Sequence, residues 1–181
     1  MVGNLKAAFL DRDGVINKAI TINNKPYPPS NADEVEILDG VIEAIRLLRV
    51  SGRVPVVITN KPDVARGHTT IAAVEKINLR IKEITEIDKF YVCYHDDEAN
   101  CECRKPKTGL ILNAKKELRI ELKDSFLVGD RRKDIQAGQE CGLRSYFIDN
   151  NYSESPPNPP FERVGSLLEA VQLELGIQRN E

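Results

Sequence analysis

Short apolar runs alternate with amphipathic stretches along the chain, and this alternation constrains the fold more than any other feature. The apolar runs are typical of buried strands, whereas the stretches between them carry apolar residues at helical spacing. Strands are predicted over 5–10, 54–59, 90–94, 126–128 and 146–148. Helices are predicted over 41–48, 71–84, 108–118, 134–141 and 167–175. The pattern predicts an α/β fold, a Rossmann-like doubly wound and mostly parallel sheet with helices on both faces.

Three polar stretches interrupt this alternation and are predicted to be loops. Residues 17–36 include three prolines, 95–107 are dense in cysteine and charge, and 152–160 are rich in Ser, Asn and Pro. No gap between the other segments is long enough for a second full-size domain. We therefore expect residues 1–181 to form one domain without a large cap, with access to the site controlled by loops.

The charge balance and the lack of long apolar runs limit the partners. The net charge is -2, so the chain has no basic excess with which to neutralise a nucleic-acid backbone. No apolar run approaches the roughly 20 residues that a membrane span needs, and the start lacks the features of a signal peptide. We expect a cytoplasmic monomer with neither nucleic acid nor membrane as a partner.

Two carboxylates, Asp11 and Asp13, directly follow the first predicted strand, and Gly14 then permits a sharp turn. In open α/β sheets, ligands bind at the carboxyl ends of the strands. Close carboxylates repel one another unless a cation is present, and Mg²⁺ held between carboxylates and a substrate phosphate would relieve that repulsion. By itself the pair is equally compatible with an acidic turn.

Three further segments favour the magnesium interpretation. Thr59 and Asn60 end the second predicted strand, Arg104 and Lys105 precede a helix, and the fourth strand leads into more carboxylates. These are the residue types that phosphoryl transfer needs, and most of them follow strand ends. The sequence therefore predicts that the chain binds Mg²⁺ and acts on a small phosphorylated metabolite at one edge of the sheet.

A cluster of cysteine and histidine predicts a second metal. Cys93 and His95 form C-x-H, and Cys101 and Cys103 form C-x-C. Three thiolates and one imidazole suit tetrahedral Zn²⁺, and this full set of four ligands indicates a closed structural site in a zinc-binding loop. Because the loop is too polar to bury a core of its own, zinc would hold the neighbouring Arg104 and Lys105 in place. The alternative is a set of incidental or reactive thiols.

Five strings occur in one order along the chain: F-L-D-R-D-G-V-I-N, V-I-T-N-K-P-D-V-A-R-G, C-Y-H, C-E-C-R-K-P-K and V-G-D-R-R-K-D. In these strings the chain resembles the haloacid-dehalogenase (HAD) superfamily of phosphohydrolases. Within it, the chain is similar to the D-glycero-D-manno-heptose 1,7-bisphosphate phosphatases and the histidinol-phosphate phosphatases. The resemblance implies a heptose bisphosphate 7-phosphatase that supplies lipopolysaccharide precursors. Histidinol-phosphate phosphatase, in histidine biosynthesis, is the alternative.

The resemblance also implies roles for the catalytic side chains. Asp11 is expected to be the nucleophile that forms an aspartyl-phosphate. Asp13 is expected to be the general acid and then the general base. Thr59 would donate its hydroxyl to a phosphoryl oxygen, and Lys105 would neutralise the nucleophile and the transferring group. The match favours Lys105 over its neighbour Lys107.

The metal ligands follow from the same match. Asp11, the carbonyl of Asp13 and Asp130 would hold Mg²⁺. Asp134 would support them, either as a carboxylate behind the ligands or as a helix N-cap. Arg12 is expected to point away from the reacting phosphorus, since side chains alternate along a strand.

Four residues are expected to bind the substrate, namely Asn60, Lys61, Arg66 and Arg104. Asn60 would add backbone N–H groups to the phosphate cradle, and Arg104 would recognise the substrate. Lys61 and Arg66 would add positive charge around the entrance for a second phosphate, although ordinary surface charge is the alternative for both. Lys61 also departs from the Gln that is usual in the family, so it weakens the assignment of a specific sugar.

Two interpretations from other classes remain open at this stage. A receiver-like signalling domain also uses Asp, Thr and Lys around Mg²⁺, but Asp13 can supply the acid and base for rapid turnover, which favours an enzyme. A catalytically inactive module held together by zinc is the other alternative. Against it, every catalytic residue type that the family uses is present.

Overall fold

The computed structural model describes residues 5–177, which contain one six-stranded sheet and one two-stranded hairpin. The strands are β1 (Lys6–Leu10), β2 (Ile20–Ile22), β3 (Lys25–Tyr27), β4 (Arg53–Asn60), β5 (Phe90–Cys93), β6 (Phe126–Gly129), β7 (Arg144–Ile148) and β8 (Glu162–Val164). The large sheet has the order β5-β4-β1-β6-β7-β8, and all its neighbouring strands are parallel. From the centre of the sheet, the chain places β1, β4 and β5 in turn towards one edge. It then places β6, β7 and β8 in turn towards the other edge. The switch point therefore lies between β1 and β6, where open α/β sheets bind ligands.

The described residues form five α-helices, of which four lie between strands and the fifth follows β8. They are α1 (Val41–Val50), α2 (Ile71–Thr85), α3 (Gly109–Leu118), α4 (Arg132–Glu140) and α5 (Leu167–Leu175). Two of them begin at a hydroxyl N-cap, since the Thr70 and Ser166 hydroxyls accept hydrogen bonds from N–H groups in the first turns of α2 and α5. Between residues 5 and 177, no helix combines the length and the apolar character that crossing a membrane would require.

The central strands are buried on both faces, which explains their continuous apolar runs. Alternate residues of β1 enter opposite cores: Ala8 and Leu10 pack with α1, α2 and α5, whereas Ala7 and Phe9 pack with α3 and α4. The predicted doubly wound sheet with helices on both faces is therefore confirmed. The predicted helices and the five predicted strands match the observed elements to within a few residues at their ends.

Three short strands, two of which form a hairpin, were not predicted. Residues 17–36 were predicted to be a loop, but β2 and β3 form an antiparallel hairpin there. Its turn places Asn23 and Asn24 at φ 51° and 55°, the left-handed region in which Asn is tolerated and which tight hairpin turns require. The strand β8 was also missed, because three residues carry too little periodicity to indicate a strand. The stretches 95–107 and 152–160 contain neither helix nor strand, as predicted.

Candidate active site

The carboxyl ends of the central strands bring three acidic side chains together. Asp11 follows β1, Asp130 follows β6, and Asp134 lies in the first turn of α4. Oxygens of the three carboxylates lie within 4.8 Å of one another, and all three residues are buried. The Asp11 N–H donates to the Val128 carbonyl at 3.0 Å, which extends the β1–β6 pairing up to the site. The site therefore lies at the switch point of the sheet.

Lys105 is the cation of this group. Its Nζ lies 2.7 Å from Asp11 Oδ1 and 2.6 Å from Asp134 Oδ1, and it also donates to the Ile58 carbonyl at 2.8 Å. Burial alone would lower the pKa of Lys105, but the charges of Asp11 and Asp134 outweigh it and hold that pKa above its usual value. Lys107 instead bonds Asn100 and Glu102 outside this group.

The amide of Asn60 fixes the backbone that carries Lys105. Asn60 Nδ2 donates to the Lys105 carbonyl at 3.0 Å, and the Lys105 N–H donates to Asn60 Oδ1 at 3.1 Å. The sequence assigned Asn60 to substrate binding through nearby backbone groups. Its side chain is already fully engaged in holding the loop of Lys105.

Asp130 has one oxygen with partners and one without. Its Oδ2 accepts from Asn150 Nδ2 at 3.2 Å, whereas its buried Oδ1 has no hydrogen-bond partner within residues 5–177. Burial, followed by the charges of Asp11 and Asp134, raises the pKa of Asp130 well above its usual value. A buried carboxylate oxygen without a donor, beside two further carboxylates, fits the oxygen ligands that Mg²⁺ prefers. Gly14 is required here, because any Cβ would collide with the Asp130 carboxylate.

The carboxylate of Asp13 is held by three side chains. Arg12 reaches both oxygens at 3.1 and 3.2 Å, Asn17 Nδ2 donates to Oδ1 at 2.9 Å, and Lys61 Nζ donates to Oδ2 at 2.5 Å. Burial opposes ionisation, but the charges of Arg12 and Lys61 outweigh it and hold the pKa of Asp13 below its usual value. Arg12 is fully buried and also donates to Asn78 of α2 at 2.9 Å.

The position of Lys61 differs from the one that the sequence suggested. It was expected among the charges around the entrance, with ordinary surface charge as the alternative, yet only 6% of the residue is exposed. Its Nζ lies 2.8 Å from Thr59 Oγ1, and its backbone N–H donates to the Cys93 carbonyl at 2.7 Å. This backbone bond continues the β4–β5 pairing by one residue and turns Lys61 into the site.

Asp134 contacts both the start of α4 and Lys105. Its Oδ2 accepts from the Arg131 N–H at 2.9 Å at the start of α4, as a helix-capping carboxylate does. Its Oδ1 contacts Lys105. Burial is the largest cause of the rise in the pKa of Asp134 to about 6, whereas the positive charge of Lys105 lowers that pKa.

A cavity of about 360 Å³ opens above these groups. Asp11, Asp13 and Thr59 lie in its wall, together with Pro26 and Tyr27 from the hairpin. This size is adequate for a small metabolite. The hairpin thus contributes to the wall from within the stretch 17–36, which the sequence predicted to be a loop.

Several cations in the cavity wall converge on one carboxylate, that of Asp97. Arg104 Nε lies 2.9 Å from it, Lys133 Nζ 3.5 Å and Arg66 Nη2 3.7 Å. Arg104 and Arg66 were predicted to bind substrate, whereas Asp97 and Lys133 were missed. Asp97 lies in a loop and Lys133 in the first turn of α4, and neither carries a sequence signal that separates it from solvated charged neighbours.

The four predicted zinc ligands also lie together. The Sγ atoms of Cys93, Cys101 and Cys103 are 3.2 to 3.7 Å apart, and His95 Nδ1 lies 3.3 Å from Cys103 Sγ. Four ligands at roughly 2.0–2.3 Å from Zn²⁺ would be separated by about 3.5 Å, so these separations fit a tetrahedral site. They are far longer than the roughly 2.05 Å of a disulfide, and all four cysteines of the chain are free.

Comparisons with known proteins agree with this geometry. A model of the HAD-hydrolase-like family matches residues 102–160. The D-glycero-beta-D-manno-heptose-1,7-bisphosphate 7-phosphatase of Helicobacter pylori is 37% identical over 149 residues, which are 79% of this chain and 83% of the relative. The enzyme of the same name from Escherichia coli K12 is 35% identical and covers 76% of this chain and 75% of its own. A D-glycero-alpha-D-manno-heptose-1,7-bisphosphate 7-phosphatase from Photorhabdus laumondii is 31% identical, over 84% of this chain and 87% of its own.

Solved structures share the fold. The D,D-heptose 1,7-bisphosphate phosphatase from B. bronchiseptica, complexed with magnesium and phosphate, has a TM-score of 0.81 at 23% identity and covers 95% of this chain and 99% of its own. A putative HAD-like phosphatase from Mesorhizobium loti has a TM-score of 0.76 at 28% identity and covers 98% and 90%. The extent and level of the sequence relationships show that this chain is a phosphatase and belongs to the HAD-like family of the D-glycero-D-manno-heptose-1,7-bisphosphate 7-phosphatases.

Proposed function

We propose that this phosphatase removes the 7-phosphate from D-glycero-D-manno-heptose 1,7-bisphosphate through a phosphoryl intermediate on Asp11. The observation that carries the proposal is the contact between Lys105 Nζ and Asp11 Oδ1, at 2.7 Å and across 94 residues of sequence. The pair is nearly buried, with 3% and 11% of the two side chains exposed, at the floor of the cavity. A strand-end carboxylate held by a buried lysine suits a nucleophile that must approach a charged phosphate.

The side chains divide the reaction between them. Asp11 would attack phosphorus while the ester oxygen of the sugar leaves and takes a proton from Asp13, whose protonated form the negative charge of the bound phosphate would favour against the charges of Arg12 and Lys61. Asp13 would then accept a proton from the water that releases phosphate from Asp11. Thr59 would donate to a phosphoryl oxygen, and Lys105 would offset negative charge on Asp11 and on the transferring group.

Mg²⁺ would be held by the carboxylates of Asp11 and Asp130 and by the Asp13 carbonyl, with Asp134 behind them. The unpartnered Oδ1 of Asp130 supports this assignment. When bound, the cation would neutralise charge on the phosphoryl oxygens and orient them. Without a cation, three buried carboxylates would face a single lysine.

The cations around Asp97 support a substrate that carries a second phosphate. Arg104, Arg66 and Lys133 all lie in the wall of the same cavity as Asp11. An arginine fork suits the planar, bidentate recognition of phosphate oxygens. A sugar with a phosphate at each end would place one phosphate at Asp11 and the other against these cations.

Zn²⁺ would be the second, structural metal, bound by Cys93, His95, Cys101 and Cys103. The Sγ separations and the free state of the thiols support it. Bound Zn²⁺ would keep the loop of Arg104 and Lys105 against the sheet. A cytoplasmic location, a monomeric state and a single domain over residues 1–181 stay predictions.

The proposal is tested by phosphate release with Mg²⁺ from the alpha and beta anomers of heptose 1,7-bisphosphate, fructose 1,6-bisphosphate and histidinol phosphate. We expect the highest kcat/KM for a heptose bisphosphate, with heptose 1-phosphate as the product seen by phosphorus NMR. Faster turnover of histidinol phosphate would show that the protein is a histidinol-phosphate phosphatase instead. A phosphoryl-protein that persists for minutes would instead favour a signalling domain.

A further inference from the structure

Lys61 is a second buried lysine in the cavity, and its partners differ from those of Lys105. Lys105 pairs with Asp11, the proposed nucleophile, whereas Lys61 pairs with Asp13, the proposed acid and base. The side chain of Lys61 is 7% exposed, so the pair is shielded from bulk solvent. A charged lysine buried this deeply without a partner would strongly destabilise the folded protein. Its ion pair with Asp13 offsets that cost.

The donors around Asp13 leave its carboxylate little freedom to rotate. Arg12 reaches both oxygens, Asn17 reaches Oδ1, and Lys61 reaches Oδ2 from the end of the neighbouring strand β4. Arg12 is itself held by Asn78. Lys61 makes the shorter of the two bonds to Oδ2 and ties that oxygen to the end of β4.

The same ammonium also orients the hydroxyl of Thr59. Lys61 Nζ donates to Thr59 Oγ1 at 2.8 Å, so this oxygen acts as an acceptor in that bond. The hydroxyl proton of Thr59 then remains available to donate elsewhere. One buried ammonium thus holds two neighbouring groups of the cavity in a fixed relation to each other.

We infer that Lys61 is a positioning residue for proton transfer, which holds Asp13 and Thr59 in fixed positions relative to each other, and is not a ligand of the second phosphate. The inference rests on the proposed function of Asp13. In the first step the Asp11 oxygen bonds to phosphorus, the ester P–O bond breaks, and the proton of Asp13 moves to the departing oxygen. In the second step water gives a proton to Asp13 and bonds to phosphorus as the Asp11–P bond breaks. Lys61 keeps its own protons throughout.

The test compares Lys61→Met with Lys61→Gln on substrates whose leaving groups differ. An alkyl phosphate such as a sugar phosphate needs a proton on its departing oxygen, whereas p-nitrophenyl phosphate does not. Because positioned acid catalysis contributes roughly 10²–10⁴-fold, we expect Lys61→Met to lower kcat/KM, which reports the steps through loss of the leaving group, about 100-fold on a sugar monophosphate. On p-nitrophenyl phosphate we expect kcat/KM to fall less than about threefold, since loss of that leaving group does not need the proton of Asp13. Lys61→Gln keeps a donor for both partners and should recover most of the loss.

Several outcomes would overturn the inference. An equal loss of kcat/KM on both substrates would make Lys61 a contact of the phosphoryl group or a folding residue. A rise in KM for bisphosphates alone would make it a ligand of the second phosphate. If Lys61→Met does not fold, as judged by its thermal midpoint, Lys61→Ala, which also removes the donor, is measured on a series of substituted phenyl phosphates. An unchanged dependence of kcat/KM on leaving-group pKa in Lys61→Ala would then refute the inference.

The controls separate this test from the identity of the substrate. Lys18→Met removes an exposed lysine that pairs with Glu36 and does not line the cavity, and it should leave both rates unchanged. The leaving-group series needs only phosphomonoesters that the wild-type protein turns over. If heptose bisphosphate is not a substrate, the proposed function fails while the role of Lys61 is still tested.

Discussion

The two groups of proposed metal ligands in this phosphatase are built in different ways. The carboxylates of Asp11, Asp130 and Asp134 come from distant parts of the sequence and are all buried at the centre of the sheet. The cysteines and the histidine of the proposed zinc site all lie between residues 93 and 103, and only Cys93 is buried. The first group is positioned by the core, whereas three of the four residues of the second lie beyond β5 on a segment without helix or strand.

This difference predicts different responses to the loss of each metal. Packing of the strands on both faces holds the carboxylate group in place, so the fold should not need Mg²⁺ there. The loop that carries three of the four zinc ligands has little apolar packing of its own, so its conformation should depend on Zn²⁺. Three hydrogen bonds tie this segment to the end of β4: the Lys61 N–H donates to the Cys93 carbonyl, and the Asn60 side chain makes two bonds with the backbone of Lys105.

The largest expected effect is that of Asp11→Asn. We expect phosphate release to fall about 10⁴-fold or more, because the nucleophile is lost. The thermal midpoint should not fall, since the change removes one of three mutually repelling carboxylates. Zinc content should also stay the same, as measured by metal analysis. Near-normal turnover in this variant would rule out the aspartyl-phosphate route, and loss of zinc would show that the two groups are not independent.

Replacing a zinc ligand should act on the loop first and on activity second. We expect Cys101→Ser to lose most of about one zinc per chain and to lower phosphate release roughly 10-fold, because the supports of Arg104 and Lys105 loosen. Cys141→Ser is the matched control, since Cys141 packs outside the cluster and is only partly buried. Full activity in zinc-free Cys101→Ser would show that the sheet alone holds Lys105.

Two substitutions at Asp134 separate its charge from its capping oxygen. Asp134→Asn keeps an acceptor for the Arg131 N–H but removes the charge beside Lys105, so activity should fall about 10-fold at little cost in stability. Asp134→Ala removes both, and we expect it to be less stable than Asp134→Asn by about 1 kcal/mol. Urea unfolding and the Mg²⁺ dependence of the rate measure the two effects. Equal stability of the variants would exclude the capping role.

The smallest expected effect is at the entrance. Asp97 occupies the cations that a second phosphate would use, but its side chain is 63% exposed, so the pairs are weak. We expect Asp97→Asn to lower KM for a bisphosphate by up to about fivefold, as expected when an exposed ion pair worth about 1 kcal/mol or less is removed. KM for p-nitrophenyl phosphate should not change.

Asp96→Asn is the matched control for Asp97→Asn. Asp96 Oδ1 instead accepts from the backbone N–H groups of Glu98 and Ala99. Equal effects of the two variants would mean that only the overall charge of the loop matters.

Much of the carboxylate site could be predicted because each part of it follows a local rule. Asp11 and Asp130 directly follow buried strands, and the carboxyl ends of parallel strands share one edge of the sheet. The spacing of Cys93, His95, Cys101 and Cys103 is likewise a property of a short segment. The supports of Asp130 were missed, because Asn150 belongs to a loop whose path depends on the packing of β7 and β8.

The sequence by itself determined the alternation of strands and helices, the order of the strand-end carboxylates and the set of four zinc ligands, because each is written within a few residues. Only the tertiary structure decided that Lys61 is buried against Asp13, that Asn60 holds the loop of Lys105, and that three cations converge on Asp97. These contacts join side chains from different loops and strand ends. Their formation depends on where the packed sheet directs each chain segment, which no local periodicity encodes.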